Sequence, residues 1–124
     1  MLIRVDPQSA VPVFTQIADA VRRDAATGHV RAGDRLPSAR EVAAGLGVNL
    51  HTVLHAYQQL RDEGLVDMRR GRGAVITESA EPLAALHDDV AALVARARSL
   101  DLSAETLVGL VKEAALVKEA PHAP

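Results

Sequence analysis

The stretch Ser38–Thr77, "SAREVAAGLGVNLHTVLHAYQQLRDEGLVDMRRGRGAVIT", decides the fold. Ser38 is a good N-cap, and Glu41 follows at the spacing of a reciprocal capping box. Val42, Ala43 and Leu46 line one face of a short helix that Gly45 and Gly47 bring to an end. Val48 plugs the turn, and Asn49 caps the next helix. That helix places Val53, Ala56, Tyr57 and Leu60 on one side and stops at Gly64. Leu65–Arg69 and Ala74–Thr77 then read as two short strands around the loop Arg70-Gly71-Arg72-Gly73. A helix, a tight turn, a second helix and a basic hairpin make a winged helix-turn-helix.

The flanks extend this reading. Upstream, "LIRVD" (Leu2–Asp6) alternates as a short strand would. Pro12 sits where a first helical turn tolerates proline. Val13, Ile17, Val21 and Ala25 recur every four residues as one helical face, and Gly28 is placed to end it. Gly33 and Pro37 mark turns in the segment that follows. Downstream, "SAEP" (Ser79–Pro82) reads as a linker. Leu83, Leu86, Val90, Leu93, Val94 and Ala97 mark a long amphipathic helix, broken at Asp101 between Leu100 and Leu102. Ser103 caps a final helix whose apolar face is Leu107, Leu110, Val111 and Ala114. Two helices alone bury too little surface for a stable domain, so they must pack on the first domain, on a second subunit, or on both. An αα-hairpin with an oily face is a simple dimerisation device, which makes Leu83, Leu86, Val90, Leu93, Val94, Leu107, Leu110 and Val111 the expected dimer contacts. The expected fold is mainly α with a small β-hairpin wing: a winged helix-turn-helix over residues 1–78, an αα-hairpin tail over 79–120, and a disordered end at 121–124.

Composition bounds the function. The chain has 124 residues, the size of one compact domain or a small domain with an appendage. Phe14 and Tyr57 are the sole aromatics, so Ala, Val, Leu and Ile must build the core. The absence of cysteine excludes disulfides and thiolate metal sites. Arg4, Asp6 and Pro7 interrupt any signal-peptide pattern, and no apolar run is long enough to span a bilayer. A cytoplasmic protein with no membrane partner is expected. The net charge of −2 gives no global signal for nucleic acid. Charge placement does: residues 1–78 carry ten arginines against nine acids, and the densest cluster is Arg69, Arg70 and Arg72. A basic edge on a neutral protein still docks phosphates.

Three pieces in order, "G-DRLPSAREVA", "LGVN--TV--AY--L-DEGLV" and "RRGRGAVI", resemble the DNA-binding domain of the GntR family of bacterial repressors. The resemblance runs from about Val11 to Thr77. About 45 residues follow the wing, which is similar to the short tail of the YtrA-like branch rather than the large effector domain of other members. The resemblance implies a DNA-binding regulator that dimerises through its tail, and it implies genes for a neighbouring ABC transporter as targets. It also implies that Arg40 contacts DNA. Several family members carry arginine where this chain has Leu50 and Leu54, so less arginine–guanine readout is expected from the helix itself.

The second helix of such a motif enters the major groove N-terminus first. Asn49, Leu50, His51, Thr52 and His55 would lie near the bases. Asparagine can read adenine, threonine a base edge, and leucine a thymine methyl. Asn49 as a cap is compatible with this role. Protonated histidine adds attraction to phosphate, so binding is expected to strengthen toward mildly acidic pH. Ser38 offers a hydroxyl to a phosphate, although capping is its simpler use. Arg69, Arg70 and Arg72 would grip the backbone or minor groove, where Gly71 and Gly73 allow close approach. Tyr57 is expected in the core, with a hydroxyl that could reach a phosphate.

Other chemistries find less support. His51 and His55 share a helix face at metal-site spacing, but no Glu or Cys accompanies them. A third ligand would have to come from His29, His87, His122 or a distant acid. No metal and no cofactor is expected. Nucleophile-elbow, Walker and Rossmann patterns are absent, and adjacent Asp88 and Asp89 point to different sides of a helix, so no enzyme is expected. The reading is a homodimeric repressor on double-stranded, inverted-repeat operator DNA. Any small-molecule effector, unidentified, would bind between subunits or domains. The alternatives are a protein-interaction module on the same scaffold and a metal-responsive sensor using the histidines.

Overall fold

The computed structural model describes residues 1–117. The expected disordered end at 121–124 lies outside the described residues. The elements are α1 (Val13–Ala26), α2 (Ala39–Leu46), α3 (Leu50–Asp62), β1 (Val66–Arg69), β2 (Gly73–Ile76), α4 (Ala80–Ser99) and α5 (Ala104–Leu116). This is the mainly helical winged helix-turn-helix, followed by two helices. The chain divides into two compact units, Met1–His87 and Asp88–Pro124, so the division falls within α4.

In the first unit, α1 buries Ile17, Ala18, Ala20, Val21 and Ala25. Facing them are Val53, Ala56, Tyr57 and Leu60 of α3. Val42 and Ala43 of α2, Leu65, and Val66 and Ile76 of the hairpin close the core. No charged residue is buried among the described residues. Each fully buried Leu, Ile or Val adds roughly 1.5–3 kcal/mol by leaving water. At the surface, Arg22 ties α1 to α3: its guanidinium holds both carboxylate oxygens of Glu63 (2.8 and 2.7 Å) and also Asp19 (2.7 Å). These two acids raise the Arg22 pKa, the Glu63 hydrogen bond contributing most.

The structure overturns two expectations and adds one contact that the sequence does not announce. Leu2–Asp6 is not a strand. Its alternation is real, since Ile3 is buried and Val5 packs on the core. With no strand beside it, its backbone is satisfied by a side chain instead. The Asp6 amide donates to Gln16 Oε1 (2.7 Å), and Gln16 Nε2 donates to the carbonyls of Asp6 (3.0 Å) and Val11 (2.9 Å). Second, Ser79–Pro82 is not a linker: α4 begins at Ala80, which is buried, and Pro82 lies in its first turn. Proline is tolerated there because the amides of that turn have no intrahelical acceptor. Third, the turn-rich segment before Ser38 contributes to the sheet. Gly33 N donates to Ile76 O (2.8 Å), Ile76 N to Asp34 O (2.8 Å) and Leu36 N to Ala74 O (2.9 Å), with Arg35 bridged to Val75. The outer edge of β2 is thereby covered rather than left open for pairing.

In the second unit, α4 ends in a Schellman motif. Leu102 N donates to Ala97 O (2.9 Å) and Asp101 N to Arg98 O (3.0 Å). Asp101 takes the left-handed conformation this requires, with φ of 59°. Ser103 caps α5 by accepting from Thr106 N (3.1 Å). Ala97 is buried, but α5 has no buried residue at all. A 13-residue helix with Val108, Leu110, Val111 and Leu116 in water leaves an apolar face uncovered.

Candidate nucleic-acid interface

The helix pair is built by local hydrogen bonds that the sequence spells out. Glu41 N donates to Ser38 Oγ (3.1 Å) and Ser38 N donates to Glu41 Oε1 (3.2 Å). The Ser38 amide, then its hydroxyl, holds the Glu41 carboxyl below the usual carboxylate range, with a smaller contribution from Arg35. Gly47 closes α2 at φ of 68°, a left-handed position in which glycine is unstrained. Val48 N donates back to Ala43 O (3.1 Å), and its half-buried side chain packs on the core. Asn49 Oδ1 accepts from His51 N (2.7 Å) and so caps α3. That use of the oxygen leaves the Asn49 amide nitrogen as its free donor.

Along α3, His51 and His55 are exposed, and Thr52 is half-buried. Leu50 is half-buried against the core, so only part of it faces outward. Tyr57 is 1% exposed, and its hydroxyl donates to Pro37 O (2.7 Å). Burial, and then the Glu41 charge, push the phenol well above its ordinary value. The hydroxyl is therefore engaged inside the fold and does not reach a phosphate. Arg40 is exposed on the first turn of α2, next to the Ser38 cap.

The hairpin pairs Val66 with Ile76, Asp67 with Val75, Met68 with Ala74 and Arg69 with Gly73. Arg72 N donates to Arg69 O (3.0 Å) across a tip that needs positive φ at Gly71 (80°) and Gly73 (74°). The three tip arginines differ. Arg69 Nε donates to Asp67 Oδ2 (3.2 Å), its neighbour on the same face of β1. Arg70, Arg72 and Arg40 are exposed and form no ion pair among the described residues. Since α2 and β1 both pack on α3, Ser38, Arg40, Asn49–His55 and the wing belong to neighbouring elements of one unit.

The tail residues divide. Leu83 is half-buried against the core of the first unit. Leu86, Val90, Leu93, Leu110 and Val111 are exposed, and Val94 and Leu107 are half-buried. Among the described residues, no three His, Cys, Asp or Glu groups cluster closely enough to hold a metal ion. None of the described helices is long and apolar enough to cross a membrane.

Sequence reasoning missed one contact made by a residue of this set. The imidazole of His55 stacks on Phe14 of α1, with ring centroids 4.0 Å apart and planes 19° from parallel. No local signal announces a pairing between residues so distant in the chain. The Asp67–Arg69 pair was within reach, because alternate residues of a strand share a face.

The family described as bacterial regulatory proteins, gntR family, matches residues 14–76. The chain is 39% identical over 80 residues to the HTH-type transcriptional repressor YtrA of Bacillus subtilis, covering 64% of this chain and 62% of that protein. It is 36% identical over 106 residues to the HTH-type transcriptional regulator YhcF of the same organism, covering 86% of this chain and 78% of that one. Among solved structures, YtrA from Sulfolobus acidocaldarius, a GntR-family transcription factor, superposes with a TM-score of 0.60 at 34% identity, over 80% of this chain and 99% of that chain.

Proposed function

The chain belongs to the GntR family of bacterial regulatory proteins, as a YtrA-like transcription regulator with a DNA-binding winged helix, and from that premise we propose that it acts as a homodimeric repressor of an inverted-repeat operator. One observation carries the reading: arginines with no acidic partner among the described residues flank the capped helix pair, Arg40 in the first turn of α2 and Arg70 and Arg72 at the wing. Such arginines lose little on meeting a phosphate, because no protein carboxylate has to be displaced first.

In this reading α3 enters the major groove from its N-terminus. Thr52, His51, His55 and the Asn49 amide meet base edges, and the outward part of Leu50 meets a methyl. Ser38, Arg40, Arg70 and Arg72 hold the backbone, Gly73 lets the wing approach closely, and Arg69 contributes less because Asp67 already holds it. Residues 1–78 form the DNA-binding part and 79–120 the dimerisation tail, although Ala80 and Leu83 are fastened to the core of the first unit. The exposed apolar residues Val90, Leu93, Leu110 and Val111 of the second unit meet a second copy, as does Leu86, and this pairing sets two recognition helices on half-sites about one helical turn apart. We place the protein in the cytoplasm, where its operator lies. A small-molecule effector remains part of the proposal: a hollow of about 470 Å³ lined by Ala25, Val30, Ala80 and Ala84, with Arg31 and Glu81, is open to one.

Fluorescence anisotropy with the DNA upstream of its own gene tests the reading. A fragment retained more tightly than random DNA at moderate salt is expected. Equal affinity for both would refute the operator reading.

A further inference from the structure

We propose that Phe14, on α1 and outside the helix-turn-helix pair, is a positioning residue that sets the imidazole of His55 for groove recognition. The proposal rests on the operator reading above and adds a named determinant to it. Three observations carry it. The His55 ring lies flat on Phe14, at 4.0 Å and 19°. His55 is nevertheless exposed, so the imidazole that Phe14 supports on one face remains accessible to a ligand. Neither ring nitrogen has a hydrogen-bond partner among the described residues. His29, by contrast, engages Thr27 Oγ1 through Nδ1 at 2.7 Å.

The seam between α1 and α3 gives the stack a firm base. Phe14, in the first turn of α1, meets His55 near the middle of α3, and Arg22, one turn before the end of α1, grips Glu63 at the C-cap of α3. Each of the second pair lies eight residues beyond the first, about two helical turns. The two contacts therefore fix where α3 sits along α1 at two points. Phe14 itself is half-buried and packed on the core, so its ring has little freedom. A histidine held in one rotamer loses less freedom when its nitrogen meets a base edge. Pre-organisation of this kind changes affinity by about three- to tenfold per side chain.

The consequence is a division of labour. Phe14 touches no DNA, yet it favours the operator over random sequence, because it acts only through a base-reading group. Phosphate contacts from Arg70 and Arg72 do not depend on it.

The test is a double-mutant cycle with Phe14→Leu and His55→Ala, read by anisotropy on operator and on random DNA. Phe14→Leu is expected to weaken operator binding about three- to tenfold and random-DNA binding by less than about twofold. In the His55→Ala background the same change should alter operator affinity by less than about twofold. Phe14→Tyr, which keeps the ring, should restore the wild-type value. A DNA-free readout stands beside it: the His55 ring protons of the wild-type chain should resonate upfield of those of His51, shifted by the ring current of Phe14.

Equal losses in both backgrounds from a folded Phe14→Leu chain would overturn the proposal, and so would His55 resonances coincident with those of His51, which need only the wild-type chain. A wild-type chain that prefers no fragment over random DNA would instead bring down the operator reading, while the ring-current shift would survive.

Discussion

Removing the two unpaired wing arginines should change how DNA binding responds to salt more than it changes anything else. Arg70 and Arg72 are exposed and without acidic partners among the described residues, whereas Arg69 is held by Asp67 at 3.2 Å. If each free arginine neutralises one phosphate, a dimer of the proposed form loses four contacts in the variant Arg70→Ala/Arg72→Ala. Counterion release gives a slope of log K against log salt of about −0.9 per phosphate, so the variant's slope should be shallower by about 3.6. Between 50 and 200 mM salt, that difference amounts to roughly a hundredfold in affinity. Arg69→Ala is the matched control and should shift the slope by clearly less than half as much, since its charge is already partly compensated. The assay is anisotropy across a salt series, on operator and random DNA alike. The Tm should move little, because neither side chain is packed. A variant slope within about 0.5 of wild type, or an Arg69→Ala effect equal to the double variant's, would refute the reasoning.

Other outcomes follow from the packing. Val90→Glu with Leu110→Glu places charge on the exposed tail face and should turn a dimer into a monomer in sedimentation, with the first unit still folded; a variant that remains dimeric would place the interface elsewhere. Tyr57→Phe removes the 2.7 Å bond to Pro37 O and should cost about 1 kcal/mol, roughly 4–6 °C in Tm, without changing operator affinity below the melting range. Because burial raises the Tyr57 phenol, the folded chain keeps it neutral while the unfolded chain ionises near pH 10. Its contribution is therefore whole below about pH 10 and falls as pH rises further, an alkaline loss the phenylalanine variant should lack. Asp101→Gly relieves the left-handed backbone at φ of 59° and should stabilise the tail by about 0.5–1 kcal/mol, seen as a shift in urea midpoint.

Much of the fold was legible because its signals are local. The capping box at Ser38, the glycine turn at Gly47 and the arginine hairpin are each contained within a few residues. Strand ends fell one residue from the expected positions, since Leu65 and Thr77 bond to each other across the mouth of the hairpin without continuing its ladder. Leu2–Asp6 misled because alternation reports one buried face, not the presence of a neighbouring strand. The linker expected at Ser79–Pro82 misled because small and polar residues also suit a first helical turn. The extension of the sheet by Gly33–Leu36 and the Phe14–His55 stack were not legible, since both join segments far apart in the chain. The same limit applied to Tyr57: the sequence shows a phenol on an apolar face, but not that Pro37 O waits for its proton.

The core of the DNA-binding unit contains no charged side chain among the described residues. Its cohesion is therefore almost indifferent to ionic strength, while its grip on phosphate is expected to fall steeply with it. Salt becomes a clean experimental handle: the protein can be washed from its operator and returned by dilution without passing through an unfolded state, and the grip can be titrated on a structure that stays the same throughout.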